Sequence, residues 1–100
     1  MIDELLDNVE ELVNDKNILI TGGTGTFGHQ ITEILLTKYK PNKVIIFSRD
    51  EFKQYNMKQI FNEKDYKNIR YFVGDVRDYE RLLMATKDVD IIFQIGRAHV

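Results

Sequence analysis

One hundred residues with 43% hydrophobic and 30% charged content, 11% aromatics and a single proline make a chain that can bury one core and is neither disordered nor of low complexity. Cysteine is absent, which excludes disulfides, thiolate zinc sites and a cysteine nucleophile, and fits a reducing compartment. The net charge of −2 hides an asymmetry: residues 1–15 carry six acids and no base, while the rest carries fourteen bases against ten acids. Such a mildly basic body suits a phosphorylated small ligand and gives no reason to expect nucleic acid.

The acidic leader places Ile2, Leu5, Leu6, Val9, Leu12 and Val13 at helical spacing, on one narrow face. Residues 1–15 are therefore expected to form an amphipathic helix that packs on its own domain or on a second copy of the chain, which leaves homo-oligomerisation open. A membrane-surface helix would carry Lys and Arg opposite the apolar stripe, and here that face is acidic. No apolar run approaches the roughly 18 residues of a membrane helix, and an acidic N-terminus does not read as a signal peptide. The expectation is a cytoplasmic chain without a membrane partner.

From Lys16 the pattern alternates between strands and helices. Asn17-Ile-Leu-Ile-Thr21 is a short apolar run ending in glycines, as in a buried parallel strand. A helix follows from about Thr26 to Lys38, with Phe27, Ile31, Ile34 and Leu35 expected on its buried face. Pro41 ends it, and Lys43-Val-Ile-Ile-Phe-Ser48 is the second strand. Residues 50–62 read as helix, although Phe52, Tyr55, Met57, Ile60 and Phe61 make no clean stripe. Asn68 to Val73 is the third strand, closed by Gly74. Asp78 caps a short helix carrying Leu82, Leu83 and Met84. A fourth strand begins at Asp90 and runs to Gln94. The order βαβαβαβ with short connections implies an α/β fold with a parallel, right-handedly wound sheet.

Between the first strand and its helix lies Thr21-Gly22-Gly23-Thr24-Gly25-Thr26-Phe27-Gly28. That context raises Gly22, Gly25 and Gly28 above a chance pattern. The first glycine permits a tight turn, the second lets the backbone approach a pyrophosphate, and the third allows close packing of helix on strand. The free N–H groups of the helix start then hold phosphates. A P-loop is a poor alternative: Gly23 and Gly28 have its four-residue gap, but His29 stands where it needs lysine.

The end of the second strand, about 20 residues on, separates NAD from NADP: an acid there holds a ribose 2′-hydroxyl, an arginine suits a 2′-phosphate. The chain reads Ser48-Arg49-Asp50-Glu51-Phe52-Lys53. Ser48 can donate to a phosphate, Arg49 offers a planar fork, and Lys53 adds a second cation one helical turn on. NADP is favoured over NAD. Asp50 reads equally as an N-cap of the next helix. After the third strand comes Gly74-Asp75-Val76-Arg77-Asp78, where Asp75 could accept from an adenine amino group with the Val76 backbone completing the contact. The alternative is a loop aspartate that satisfies backbone N–H groups.

Together these segments resemble the extended short-chain dehydrogenase/reductase family, and within it the inverting UDP-N-acetylglucosamine 4,6-dehydratases and CapD-like polysaccharide-biosynthesis proteins. The carrying residues are Asn17 through Gly28, Phe47-Ser-Arg-Asp-Glu-Phe-Lys-Gln54 and Phe72-Val-Gly-Asp-Val-Arg-Asp78. The resemblance implies the N-terminal part of a Rossmann-type doubly wound parallel sheet over residues 16–94, preceded by the helix of residues 1–15. It implies that Gly22, Thr24, Gly25, Thr26, Phe27 and Gly28 line the pyrophosphate. Ser48, Arg49, Asp50 and Lys53 would surround the 2′-phosphate, and Asp75 with Val76 the adenine. It also implies a UDP-sugar substrate for a longer parent protein, with hydride leaving sugar C4, water lost across C5–C6 and hydride returning to C6, supported by a later Tyr-x-x-x-Lys pair. Tyr39-Lys-Pro-Asn-Lys43 has that spacing, but it contains a proline and leads into strand two. No catalytic residue and no metal ligand is therefore named here, and these residues alone are expected to lack turnover. A nucleotide-sugar 4-epimerase would share the same first half, and a non-catalytic NADP-sensing module would keep the glycine loop without the tyrosine–lysine pair.

Residues 95–100 depart from that pattern. Ile95-Gly-Arg-Ala-His-Val100 is what ATC GGA AGA GCA CAC GTC encodes, a stretch of a sequencing-library adapter, so this tail is expected to be non-native read-through. His99 belongs to it. His29 is expected to face solvent beside the loop.

Overall fold

The structure, a computed structural model, describes residues 2–22 and 24–94, with side chains described from residue 8 onward; the expected read-through tail lies outside the described residues. The elements are α1 (Ile2–Val13), β1 (Asn17–Thr21), α2 (Thr26–Lys38), β2 (Lys43–Ser48), α3 (Glu51–Ile60), β3 (Ile69–Val73), α4 (Tyr79–Thr86) and β4 (Ile91–Gln94). β1 and β2 have the expected bounds, and β3 and β4 each begin one residue later than expected. α3 is shorter than expected at both ends, because Asp50 caps it from outside the helix and Phe61 has already left helical geometry.

The four strands form one parallel sheet in the order β3-β2-β1-β4. The chain steps outward from β1 to β3 and then crosses to the far side of β1. That reversal is the place where open α/β sheets bind ligands, at the carboxyl ends of the strands. Side chains alternate across the sheet with period two. Ile18, Ile20, Val44, Ile46 and Ile69 point to one face, where Val13 of α1, Leu35 of α2, Met57 of α3 and Phe61 cover them. Leu19 and Phe47 point to the other face, where Ala85 of α4 closes over them. Helices lie on both faces, which is why the strands read as apolar runs, although Ile92, beside Leu19 on the second face, is 54% exposed.

The helical faces differ in part from the sequence expectation. α2 buries Gly28, Thr32 and Leu35, whereas Phe27 and Ile34 are exposed. The true stripe runs at spacings of four and three from Gly28, so Phe27 and Ile34, each one residue before it, are turned about 100° away. In α4 the buried residue is Ala85, while Leu83 and Met84 are exposed and Leu82 is half-buried. In α1 Val13 enters the core and Val9 packs against it, but Leu12 is exposed. α3 buries Gln54 and Met57 and leaves Phe52, Tyr55 and Ile60 outside, consistent with its irregular stripe. Among the described residues no helix is long and apolar enough to cross a membrane.

The link from α1 into the sheet is fixed by backbone bonds. Asp15, at φ 65° in the left-handed region that aspartate tolerates, donates its N–H to the Lys40 carbonyl at 2.9 Å. The Lys40 N–H donates in turn to Asn14 Oδ1 at 2.8 Å. α1 is thereby anchored to the segment that follows α2, at the amino ends of β1 and β2 and away from their carboxyl ends.

Candidate functional site at the strand ends

Three loops meet where β1, β2 and β3 end. The parallel register sets Thr21 beside Phe47 and Ser48 beside Val73. The first and third loops begin by bonding to β2: the Gly22 N–H donates to the Phe47 carbonyl at 3.0 Å, and the Gly74 N–H to the Ser48 carbonyl at 2.9 Å. The three sequence-predicted segments are thus brought side by side at one end of the sheet.

Gly22 has φ 69°, the conformation that the tight turn after β1 requires and that glycine adopts without strain. Gly25 is the N-cap of α2, with no side-chain cap bond. Among the described residues, a Cβ placed on Gly25 would meet no atom within 4 Å beyond its own chain neighbours. The first turn of α2 therefore presents N–H donors and the positive end of the helix dipole to open space. Thr26 and Phe27 begin the helix, both exposed, Thr24 is half-buried, and Gly28 is buried within α2.

At the end of β2 the Ser48 side chain is buried and Arg49 is largely exposed, its side chain 72% accessible. Asp50 caps α3, with Oδ1 accepting from the Lys53 N–H at 3.0 Å. The N-cap reading of Asp50 is therefore the one its geometry displays, while the Lys53 side chain stays exposed one turn away. Beyond β3, Asp75 and Val76 form a turn in which the Asp78 N–H donates to the Asp75 carbonyl at 2.9 Å. Asp75 Oδ1 accepts from the Arg77 N–H at 2.9 Å, an Asx-turn, and Arg77 Nη2 donates to Oδ2 at 2.7 Å. Arg49 Nη1 lies 3.7 Å from the same Oδ2, so the second and third loops are joined by an ion pair. The Arg77 side chain, its backbone N–H and, more weakly, Arg49 hold the Asp75 carboxyl well below the usual carboxylate range. It stays an anion through the physiological range.

Three contributors carried no signal of their role in the sequence pattern. Gln54, only 2% exposed, directs its Nε2 at Ser48 Oγ (2.9 Å), at the Phe72 carbonyl (3.1 Å) and at the Ser48 carbonyl (3.4 Å). Arg81 lies over the Phe72 ring, 4.3 Å from its centroid, and donates from Nε to the Val73 carbonyl at 2.9 Å. Gly74 sits where a Cβ would come within 2.8 Å of Phe47 Cζ and of Arg81 Cγ. Gln54 and Gly74 were within quoted motifs, but only packing shows what they touch.

His29 is half-buried rather than exposed, because Phe61, which follows α3, lies against its ring, edge-on at 6.1 Å between centroids. A groove of about 500 Å³ opens on that side, lined by Thr24, Gly25, Thr26, His29, Phe61 and Tyr66 among others. It shares the glycine loop with the strand-end site, but none of Ser48, Arg49, Asp50, Lys53, Asp75 or Val76 lines it.

Residues 18–99 match the polysaccharide biosynthesis protein family. The chain belongs to that family. Over 81 residues it is 59% identical to a UDP-N-acetylglucosamine 4,6-dehydratase (inverting) of Campylobacter jejuni subsp. jejuni serotype O:23/36 (strain 81-176), an alignment covering 81% of this chain and 23% of that relative. Among solved structures it superposes on Pen from Bacillus thuringiensis with a TM-score of 0.78 at 41% identity, covering 89% of this chain and 28% of that one. It also superposes on the dTDP-glucose 4,6-dehydratase of Bacillus anthracis str. Ames in complex with NAD, with a TM-score of 0.68 at 28% identity, over 81% of this chain and 26% of the other. The chain thus spans about a quarter of the length of the relatives it matches. As a member of the polysaccharide biosynthesis protein family it has the Rossmann-type sheet expected from its sequence, with the strand order of the first half of a doubly wound fold.

Proposed function

We propose that residues 16–94 are the dinucleotide-binding part of a nucleotide-sugar dehydratase acting on a UDP-sugar, and that the dinucleotide is NADP. The observation that carries this reading is the meeting of the glycine loop, Ser48-Arg49 and Asp75-Val76 at one end of the sheet, in a chain 59% identical over 81 residues to a UDP-N-acetylglucosamine 4,6-dehydratase. The relative solved with NAD supports a nicotinamide dinucleotide as the ligand class.

The residues present fit such a group. Gly25 leaves open the space that a Cβ would fill, and α2 lacks a side-chain cap, so its first N–H groups are available to the pyrophosphate of the dinucleotide. Gly22, Thr24, Thr26, Phe27 and Gly28 shape that loop. Arg49 has only a long 3.7 Å contact to Asp75 and can turn its guanidinium to a 2′-phosphate, with Lys53 and Ser48 beside it and Asp50 holding the start of α3 in place. Asp75 and Val76 lie at the adenine end. The Asp75 carboxylate is shared with Arg77, whose side chain is 79% exposed and free to give way. A bound nicotinamide would supply the hydride acceptor and donor of the sugar chemistry; these residues bind and orient it.

Titration of the chain with NADP and with NAD tests the assignment. NADP binds more tightly, the preference shrinks as salt is raised, and Arg49→Ala lowers NADP affinity by about tenfold with little change for NAD. Equal affinities for the two, or an Arg49→Ala chain that still prefers NADP, refute it. The dehydratase step is tested on the natural coding sequence that contains these residues, by following loss of one water from UDP-N-acetylglucosamine by mass spectrometry. Epimerised product at unchanged mass would favour the 4-epimerase reading.

A further inference from the structure

The buried amide of Gln54 has a role that the binding residues by themselves do not explain. Its nitrogen faces two backbone carbonyls, Phe72 at 3.1 Å and Ser48 at 3.4 Å. Carbonyl oxygens only accept, so the amide must turn its NH2 group toward them, and its orientation is thereby fixed. The same nitrogen lies 2.9 Å from Ser48 Oγ. An amide nitrogen cannot accept, so in this contact the Ser48 oxygen accepts and its own proton is left to point elsewhere. Ser48 closes β2, directly before the exposed Arg49.

We propose that Gln54 is a positioning residue for recognition of a 2′-phosphate: it holds the Ser48 hydroxyl as a donor at the end of β2, aimed at the same anion that Arg49 engages. This rests on the NADP reading above. A hydroxyl free to rotate can donate to a neighbouring carbonyl and turn its lone pairs to the ligand, and lone pairs repel phosphate. With one side of the oxygen occupied by Gln54, that arrangement is disfavoured before the ligand arrives, so less ordering accompanies binding. Because the amide also grips the Phe72 carbonyl, it ties the donor to the end of β3 and fixes its height relative to Asp75.

The test is a double-mutant cycle read as the ratio of NADP to NAD affinity, with 2′,5′-ADP and ADP as shorter probes. Gln54→Met keeps the length of the side chain and removes the donor. The expected result is a fall of about tenfold in the NADP/NAD ratio, the scale of one hydrogen bond to a charged group, with NAD affinity unchanged. Ser48→Ala gives a similar fall, and adding Gln54→Met to Ser48→Ala gives no further change. Loss of NADP and NAD affinity in equal proportion in Gln54→Met overturns the proposal, since a purely structural role predicts that. Additive effects in the double variant overturn it as well. Should Gln54→Met not fold, Ser48→Ala alone decides, because a chain that keeps its full NADP preference without the hydroxyl refutes the proposal. A wild-type preference that is abolished by Arg49→Ala yet untouched by Ser48→Ala refutes the role of Gln54 and leaves the NADP reading standing. A wild-type chain without any preference refutes both.

Discussion

Replacing Gly74 with alanine tests how tightly the third loop is built. The added Cβ would lie 2.8 Å from Phe47 Cζ, 2.9 Å from Phe47 Cε2 and 2.8 Å from Arg81 Cγ, where ordinary contacts begin at 3.4 Å. Phe47 is 1% exposed and stacks on Phe72 at 5.8 Å between centroids, so its ring cannot retreat without displacing the neighbours it packs with, Leu19 and Ala85 among them. The stem of Arg81 is held at its two ends, by the Arg81 N–H on Asp78 Oδ1 at 3.2 Å and by Nε on the Val73 carbonyl at 2.9 Å. Overpacking of this kind costs about 1–3 kcal/mol, and loss of the Arg81 bond adds about 1 kcal/mol. Gly74 is not among the described glycines with positive φ, so alanine is tolerated by the backbone and returns about 0.4–1 kcal/mol by stiffening the unfolded chain. The net loss is about 1–3.5 kcal/mol, which lowers the Tm of a domain this size by about 5–25 °C. Thermal and urea unfolding followed by circular dichroism, with an unchanged m-value, would measure it. A Tm equal to or above that of the parent chain would refute the reasoning, because the backbone effect by itself is stabilising and only the clash reverses its sign.

Gly25→Ala should behave in the opposite way: with no atom of the described residues beyond its chain neighbours within 4 Å of the new Cβ, stability falls by less than about 1 kcal/mol, the difference between glycine and alanine as N-cap, while dinucleotide binding measured by calorimetry drops at least tenfold. Unchanged binding would show that the pyrophosphate does not approach this loop. Thr32 is fully buried in α2 and its hydroxyl has no hydrogen-bond partner among the described residues, so the nearly isosteric Thr32→Val should raise stability by about 1 kcal/mol in urea unfolding. A loss would show that the hydroxyl is satisfied. The Tyr71 phenol donates to the Phe61 carbonyl at 2.6 Å, and burial, followed by the nearby Glu63, holds its pKa above the ordinary value of about 10. Its raised folded-state pKa contributes stability that is complete below pH 10 and is lost as pH rises beyond it, when the unfolded chain ionises first. Tyr71→Phe should therefore be less stable than the parent at pH 7, by about 1 kcal/mol for the lost hydrogen bond, and lose less on passing from pH 9 to 11. Parallel stability curves for the two chains would contradict this.

The fold was legible in the sequence because its signals are local. Apolar runs of strand length, glycines directly after Thr21, Pro41 before β2 and aspartates at positions 50 and 78 each act on a few neighbouring residues, and the caps on Lys53 and Arg81 formed as that logic requires. The site segments were legible for the same reason, since a loop that follows a parallel strand lies at the carboxyl edge whatever packs beneath it. Tertiary structure alone decided which way the helices turn. Phe27, Ile34, Leu83 and Met84 are apolar yet exposed, while Thr32 and Gln54 are polar yet buried, because the contact face of a helix is set by the strand it crosses and not by its own composition. It also decided the partners of charged and polar groups. Asp75 takes Arg77 and Arg49, Gln54 takes Ser48, and Gly74 yields its space to Phe47 and Arg81. Those contacts join residues from different strands and loops, and their energies depend on distances that exist only once the sheet has closed.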